Sequence, residues 1–263
     1  MTQISVIVAT YNWPAALGLC LQSLKNQSFR DFEILIADDG SKEETRNLIQ
    51  KYIQEFPIKI THLWHEDIGC RKTIIGNRAI NSANGQYLIF LDGDCVVQPD
   101  YLQRHLSLAQ KGYLVTGSRI LLNQKFTQEI LTEGYIDFSR LQKNSFFLRI
   151  QGSINKFLPL FIKFGNGKWR NYKKFFWRRI KGCNMACWQK NAVAIRGFDE
   201  TMTGWGHEDA DFVFRLQQSG IKRKSGSWST EVFHLFHRIS DQSKAAENAR
   251  RVREKILAKG IHS

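Results

Sequence analysis

Proline is scarce, with four in 263 residues, and cysteine is both scarce and odd in number, with five. An odd count in a chain of this length points to reduced thiols and excludes a disulfide framework. No stretch approaches the ~20 apolar residues that a membrane-spanning helix needs. Met1-Thr2-Gln3 runs straight into Ile4-Ser5-Val6-Ile7-Val8 without a basic n-region or an apolar h-region. A secretory leader is therefore not expected, and the chain reads as cytoplasmic. No Gly-x-Gly-x-x-Gly follows the first apolar run and no P-loop occurs, so the common glycine cradles for dinucleotides and nucleoside triphosphates are absent. Hydrophobic residues make up 43% of the chain, enough for a large core and too many for global disorder.

Acid is the most informative absence. Between Asp137 and Asp199 there is no Asp or Glu, while residues 138–198 hold 14 Lys or Arg. The rest of the chain carries 24 basic and 24 acidic residues, so the net charge of +14 belongs to one segment. The same segment is dense in rings, among them Phe146, Phe147, Phe157, Phe161, Phe164, Trp169, Tyr172, Phe175, Phe176 and Trp177. Cations mixed with large aromatics suit an anionic bilayer surface, where rings enter the headgroup boundary and Lys or Arg hold phosphates. They also suit single-stranded nucleic acid, through stacking and phosphate contact. A plainer reading is a solvated face over aromatics that belong to the core.

Elsewhere, strands and helices alternate. Ile4–Ala9, Phe32–Ala37, Ile58–Leu63 and Tyr87–Leu91 read as strands, and Tyr113–Gly117 as a fifth. Between them, helices are predicted from Pro14 to Gln27, from an N-cap at Ser41 to Tyr52, from Thr73 to Ala83, and after Pro99 to Gln110. Alternation of this kind predicts a parallel, right-handed wound sheet in one α/β domain. Residues 140–180 show no clean period and read as an insertion or lid. Helices follow near Trp188–Ile195 and over Glu208–Gly220, and residues 240–263 read as a polar helical tail.

Ligands of open α/β sheets sit beyond the carboxyl ends of the strands. Two such ends carry acids: Asp38/Asp39, and Asp92-Gly93-Asp94, where the glycine is expected to let the chain turn. Carboxylates in place of a phosphate cradle call for a divalent cation, Mg²⁺ or Mn²⁺, to hold an anionic ligand. An Asp-x-Asp alone is a common acidic turn; at the end of an apolar strand it is a candidate site. Gly204-Trp205-Gly206-His207-Glu208-Asp209-Ala210-Asp211 frames an indole between glycines and opens a helix with three acids, more than capping requires. His234-Leu235-Phe236-His237 offers further metal ligands or two structural histidines. Cys183 and Cys187 lack a paired Cys/His spacing and read as packing thiols.

Together these residues resemble the inverting family 2 glycosyltransferases of GT-A fold. The resemblance runs through Ser5–Asn12, Asp38-Asp39-Gly40-Ser41, Asp92-Gly93-Asp94, Gly182-Cys183-Asn184-Met185 and Gly197-Phe198-Asp199-Glu200. Gly204–Asp211 is similar to a block shared by galactosyltransferases and bacterial chondroitin-type polymerases. The resemblance covers residues 1–120 and 181–240 and leaves 121–180 outside. It implies a Rossmann-like, mainly parallel sheet flanked by helices: a nucleotide-sugar half (1–120), a basic aromatic insertion or lid (121–180), an acceptor and catalytic half (181–240) and a tail (241–263). It also implies that Tyr11 and Asp39 hold the uracil of a UDP-sugar, that Asp92 lies near ribose and metal, and that Arg71 and Lys72 assist the diphosphate. Asp94 and His237, or His234, would ligate Mn²⁺ or Mg²⁺. Asp209 would be the general base, with Trp205 and Glu208 orienting the acceptor.

The expected activity is metal-dependent, inverting transfer of a hexose or N-acetylhexosamine to a glycan acceptor. A lipid-linked acceptor, in lipopolysaccharide core or capsule synthesis, would place the enzyme at the inner face of the cell membrane. The competing expectation is a basic nucleic-acid-binding protein whose acids are structural.

Overall fold

The computed structural model of the chain describes residues 2–177, 180–238 and 241–259. Arg178 and Arg179 of the basic segment and the two ends of the tail lie outside these residues. The first half alternates as expected: β1 (Ile4–Thr10), α1 (Pro14–Lys25), β2 (Phe32–Asp38), α2 (Glu43–Glu55), β3 (Ile60–Trp64), α3 (Lys72–Ser82) and β4 (Tyr87–Asp92). Then come β5 (Cys95–Val97), α4 (Tyr101–Leu108), β6 (Tyr113–Thr116), β7 (Ser118–Leu121), α5 (Gln124–Glu133) and α6 (Phe138–Ile150). The chain continues with β8 (Asn184–Trp188), α7 (Gln189–Ala194), α8 (Glu208–Gln218), β9 (Lys222–Ser225), β10 (Glu231–His234) and α9 (Ala245–Leu257).

Seven strands form the main sheet in the order β3-β2-β1-β4-β8-β6-β9. Strands β1 to β4 are mutually parallel, with Val6 opposite Ile34 on one side and Ile89 on the other. The apolar runs of β1, β2 and β4 are buried on both faces, as a helix-covered parallel sheet requires, whereas β3 at the sheet's edge is only partly buried. Two polar residues inside this core satisfy each other: Ser5 Oγ donates to Glu33 at 2.7 Å, and Asn84 donates to the same carboxylate from its backbone and side-chain nitrogens.

Several elements differ from those expected of the sequence. Ser41 does not cap α2; its hydroxyl accepts the Asn12 backbone N–H at 2.9 Å, and Lys42 precedes the helix. Asn184–Trp188 is a strand, antiparallel to both β4 and β6, where no strand was expected. Its sequence Asn-Met-Ala-Cys-Trp has no alternation and no β-branched residue; the flanking strands supply the ladder. Residues 138–150 form a helix inside the segment that showed no period. Only Leu141 and Ser145 of α6 are buried, too few to leave a 3.6-residue stripe.

A small second sheet, β5-β10-β7, joins α5 and α6 to the main body. Ile120, Ile130, Leu141, Ile154, Leu160 and Phe233 form a separate buried cluster there. Above it, the basic segment does not bury all its rings: Phe146 is 54%, Phe147 64% and Trp169 61% exposed. Nor are all its cations free. Arg170 is 1% exposed and donates to the carbonyls of Phe164, Gly165, Ser225 and Ser227.

Asn184 ties the layers together. Its buried amide donates to the carbonyls of Ser118 and Thr230, and its oxygen meets Tyr101 Oη at 3.0 Å and His105 Nε2 at 3.1 Å. Asn184→Ala should therefore destabilise the chain by about 2–4 kcal/mol, because several buried polar groups lose partners at once. Urea unfolding would measure it; a loss under about 1 kcal/mol would show that the network adds little.

Candidate active site

The carboxyl ends of β1, β2 and β4 converge on one edge of the sheet. Asn12, with φ at +47°, stitches two of the loops: Asn12 N donates to Ser41 Oγ, and Lys42 N donates to Asn12 Oδ1 at 2.8 Å. Tyr11 is half exposed beside this stitch, its hydroxyl donating to Asp67 at 2.8 Å. Asp39 is buried and accepts the Arg71 backbone N–H on both oxygens, at 3.1 and 3.0 Å, and a hydrogen bond from His65 at 2.7 Å. Burial raises the Asp39 carboxyl above its usual range, with His65 and the Arg71 amide opposing. His65 and Asp67 gave no signal in the sequence; their loop reaches Tyr11 and Asp39 only through the fold.

Asp92 ends β4 and accepts from Lys72 Nζ at 2.7 Å. Glycine at 93 serves closeness, not a left-handed turn: its φ is not positive, its N–H meets the Ala9 carbonyl at 2.7 Å, and a Cβ would lie 3.2 Å from that oxygen. Asp92, Lys72, Thr73, Gly182, Glu208 and Asp209 line one cavity under the sheet edge. Burial and the neighbouring Asp209 charge push the Glu208 carboxyl up to about 7, although Lys72 opposes them. Burial works against the charge on Lys72, but Asp92 and Glu208 outweigh it and hold the ammonium above its ordinary value. Asp209 Oδ2 accepts the Gly182 N–H at 2.7 Å and Oδ1 the Ala210 N–H at 2.7 Å, which fixes the carboxylate's direction.

Two residues beyond Asp92, Asp94 meets both histidines: His237 Nε2 at 3.2 Å and His234 Nε2 at 3.7 Å. Burial works to raise the Asp94 carboxyl, but the His237 hydrogen bond and both rings outweigh it and lower it. The hydrogen bond to Asp94 raises His237, while burial lowers His234. One carboxylate and two imidazoles within 4.8 Å of one another form a donor set suited to a divalent cation.

The loop before α8 carries Trp205, 44% exposed, between Gly204 at φ +76° and Gly206 at φ +109°. Of the three acids that follow, Asp211 is structural: it is fully buried and paired with Arg215 and with Lys255 of α9, each at 2.6 Å. The tail helix also braces the Trp205 loop, because buried Asn248 donates to the carbonyls of Thr203 at 3.2 Å and Gly206 at 3.0 Å.

A wound, mainly parallel sheet with Asp92 closing its fourth strand and Asp94 just beyond, facing an acidic helix start, is the architecture of the GT-A fold. The chain belongs to glycosyl transferase family 2, whose profile matches residues 5–176. The profile runs through most of 121–180, the segment that the resemblance read from the sequence left outside. A second profile, the N-terminal domain of galactosyltransferase, matches residues 168–238. Validoxylamine A glucosyltransferase of Streptomyces hygroscopicus subsp. jinggangensis is 29% identical over 243 residues, covering 88% of this chain and 56% of its own. Escherichia coli chondroitin synthase is 27% identical over 243 residues, covering 84% of this chain and 33% of its own. The chain thus spans about half or less of the length of these curated relatives. Among solved structures, GalNAc-T7 with UDP, GalNAc and Mn²⁺ superposes with a TM-score of 0.65 at 17% identity, covering 97% of this chain and 48% of its own. A nucleic-acid-binding role is not favoured by these matches.

Asn248→Ala should loosen the Trp205 loop without unfolding the sheet. Hydrogen exchange over residues 203–207 is expected to rise at least tenfold while β1 and β4 stay protected; unchanged exchange would mean that α9 does not hold the loop.

Proposed function

We propose that the chain transfers a hexose or N-acetylhexosamine from a UDP-sugar to a glycan acceptor, with inversion at the anomeric carbon. The observation that carries this reading is the meeting of Asp92, Lys72, Glu208 and Asp209 on one cavity, with Asp94, His234 and His237 beside it. Tyr11 would stack on uracil, and Asp39, held by His65 and the Arg71 amide, would accept the ring N–H. Arg71 and Lys72 would lie along the diphosphate. Asp94 and His237, with His234 beside them, would hold Mn²⁺ or Mg²⁺, which supplies Lewis-acid neutralisation of the departing UDP.

Trp205 would present its indole to the apolar face of the acceptor sugar, and Glu208 would fix the acceptor hydroxyl. Asp209 would then take the hydroxyl proton during a single displacement, a contribution of roughly 10²–10⁴-fold. A second assignment rests on Glu208: a carboxyl near 7 is matched to a general base at neutral pH, and it would make the rate fall as pH drops through about 7 and Glu208 protonates. Mn²⁺-dependent stabilisation by UDP, followed as a rise in Tm, tests the donor site; no shift with any metal would end the proposal. With a panel of UDP-sugars, Asp209→Asn should keep UDP binding and lose at least 100-fold in transfer. If Glu208→Gln instead gives the larger loss and erases the fall near pH 7, the two roles exchange.

The acceptor is proposed to be lipid-linked, as in lipopolysaccharide core or capsule synthesis, with the chain peripheral to the inner face of the cell membrane. No helix among the described residues is long and apolar enough to cross a membrane. What supports surface contact is the exposed set Phe146, Phe147, Phe161 and Trp169, interleaved with the exposed cations Lys143, Arg149, Lys168, Lys173 and Lys174. Pelleting with anionic liposomes should weaken with salt and with Phe147→Ala plus Trp169→Ala; equal binding to neutral liposomes would remove the electrostatic part of this reading.

A further inference from the structure

His234 belongs to two clusters at once. On one side it joins Asp94 and His237; on the other, a ring nitrogen of His234 lies within 4.8 Å of both Cys95 Sγ and Cys183 Sγ, and these lie as close to each other. The fold assembles the second cluster from two strands and the turn before a third. Cys95 of β5 stands directly opposite His234 of β10 in an antiparallel pair, which turns both side chains to one face. Cys183 arrives from the turn that leads into β8. Asp94 closes the group, with the Cys95 thiol donating to its Oδ1 at 3.4 Å and His234 Nε2 lying 3.7 Å from its Oδ2. A tetrahedral zinc ion with bonds of about 2.0–2.3 Å needs its ligand atoms ~3.3–3.8 Å apart, so small side-chain shifts would suffice.

We propose that Cys95, Cys183 and His234, with Asp94 as fourth ligand, form a binding site for a thiophilic divalent cation such as Zn²⁺. Two sulfurs, one imidazole and one carboxylate select Zn²⁺ or Cd²⁺ over Mn²⁺ or Mg²⁺, which prefer oxygen-rich sets. Asp94 and His234 keep side-chain exposures of 16% and 12%, whereas Cys95 and Cys183 are 0% and 4% exposed. Entry is therefore from the Asp94 side, with the thiols as the floor of the site. On binding, each thiol gives up its proton to solvent and two sulfur–metal bonds form, with no change of oxidation state. Because Asp94 and His234 would be shared, Zn²⁺ at this site displaces Mn²⁺ or Mg²⁺ from Asp94 and His237. This competition rests on the proposed function; the cation site itself does not.

Titration of the intact chain with Cd²⁺, without nucleotide, tests the site directly. Wild type should develop sulfur-to-cadmium charge-transfer absorption that saturates at one ion per chain and release about two protons per ion at about pH 8. Cys183→Ser should weaken Cd²⁺ binding at least tenfold, and Cys95→Ser should do the same where it folds. Cys187→Ser, a buried thiol of β8 outside the cluster, should leave binding intact. No thiolate absorption and less than one proton released in wild type, a measurement needing no variant, would overturn the proposal, as would full absorption retained in Cys183→Ser. Zn²⁺ should then inhibit Mn²⁺-dependent UDP release from the sugar donor at least tenfold more strongly in wild type than in Cys183→Ser. Cadmium absorption without inhibition would keep the site and overturn the competition.

Discussion

Like charge crowds the carboxyl end of β4. Asp92, Asp94, Glu208 and Asp209 converge there from two distant parts of the chain, and repulsion between them is the constraint around which the site is built. Lys72 answers Asp92 at 2.7 Å, and His237 answers Asp94 at 3.2 Å. The Lys72–Asp92 pair is about one-third exposed, so its contribution to stability is at most about 1 kcal/mol. Its effect is local: with Glu208 already pushed up to about 7 by burial and by Asp209, removing Lys72 would drive that carboxyl further toward its neutral form. Under the proposed function, the negative field that remains would draw a cation, and a diphosphate carried with it, to this edge.

The parallel half of the fold was legible because burial on both faces forces continuous apolar runs, and Ile4–Thr10 and Phe32–Asp38 show them plainly. Asp92-Gly93-Asp94 and Gly204–Asp211 were legible for a different reason: close backbone approach and positive φ restrict those places to glycine, which leaves a pattern in the letters. The turn expected at Gly93 is present, and the same glycine also lets the backbone close on the Ala9 carbonyl.

What escaped notice depends on partners far away in the chain. β8 has no strand composition because its neighbours on both sides impose the ladder. His65 is one histidine among seven until the fold sets it 2.7 Å from Asp39. Asp211 looks like its neighbours Glu208 and Asp209 in the sequence, yet it faces Arg215 and Lys255 in the interior. α6 hides because most of its surface faces outward, and amphipathic periodicity records only burial. The same exposure explains the rings of the basic segment: they could not be told from core aromatics by composition, and the fold divides them, with Phe175 packed on Phe214 and Phe147 left outside.

Asn248 grips the Trp205 loop from a helix more than 40 residues further along the chain, and Lys255 of the same helix anchors the start of α8. During synthesis, β1 to β4 can assemble as soon as they emerge, because their contacts are with one another. The Trp205 loop is completed later: Gly204 N already rests on the Cys70 carbonyl, but the Asn248 bonds to Thr203 and Gly206 wait until Ala245–Leu257 has been made. A nascent chain would therefore form the edge at β1, β2 and β4 well before the loop that faces it is fully braced, so that the order of translation follows the order in which the two walls are completed.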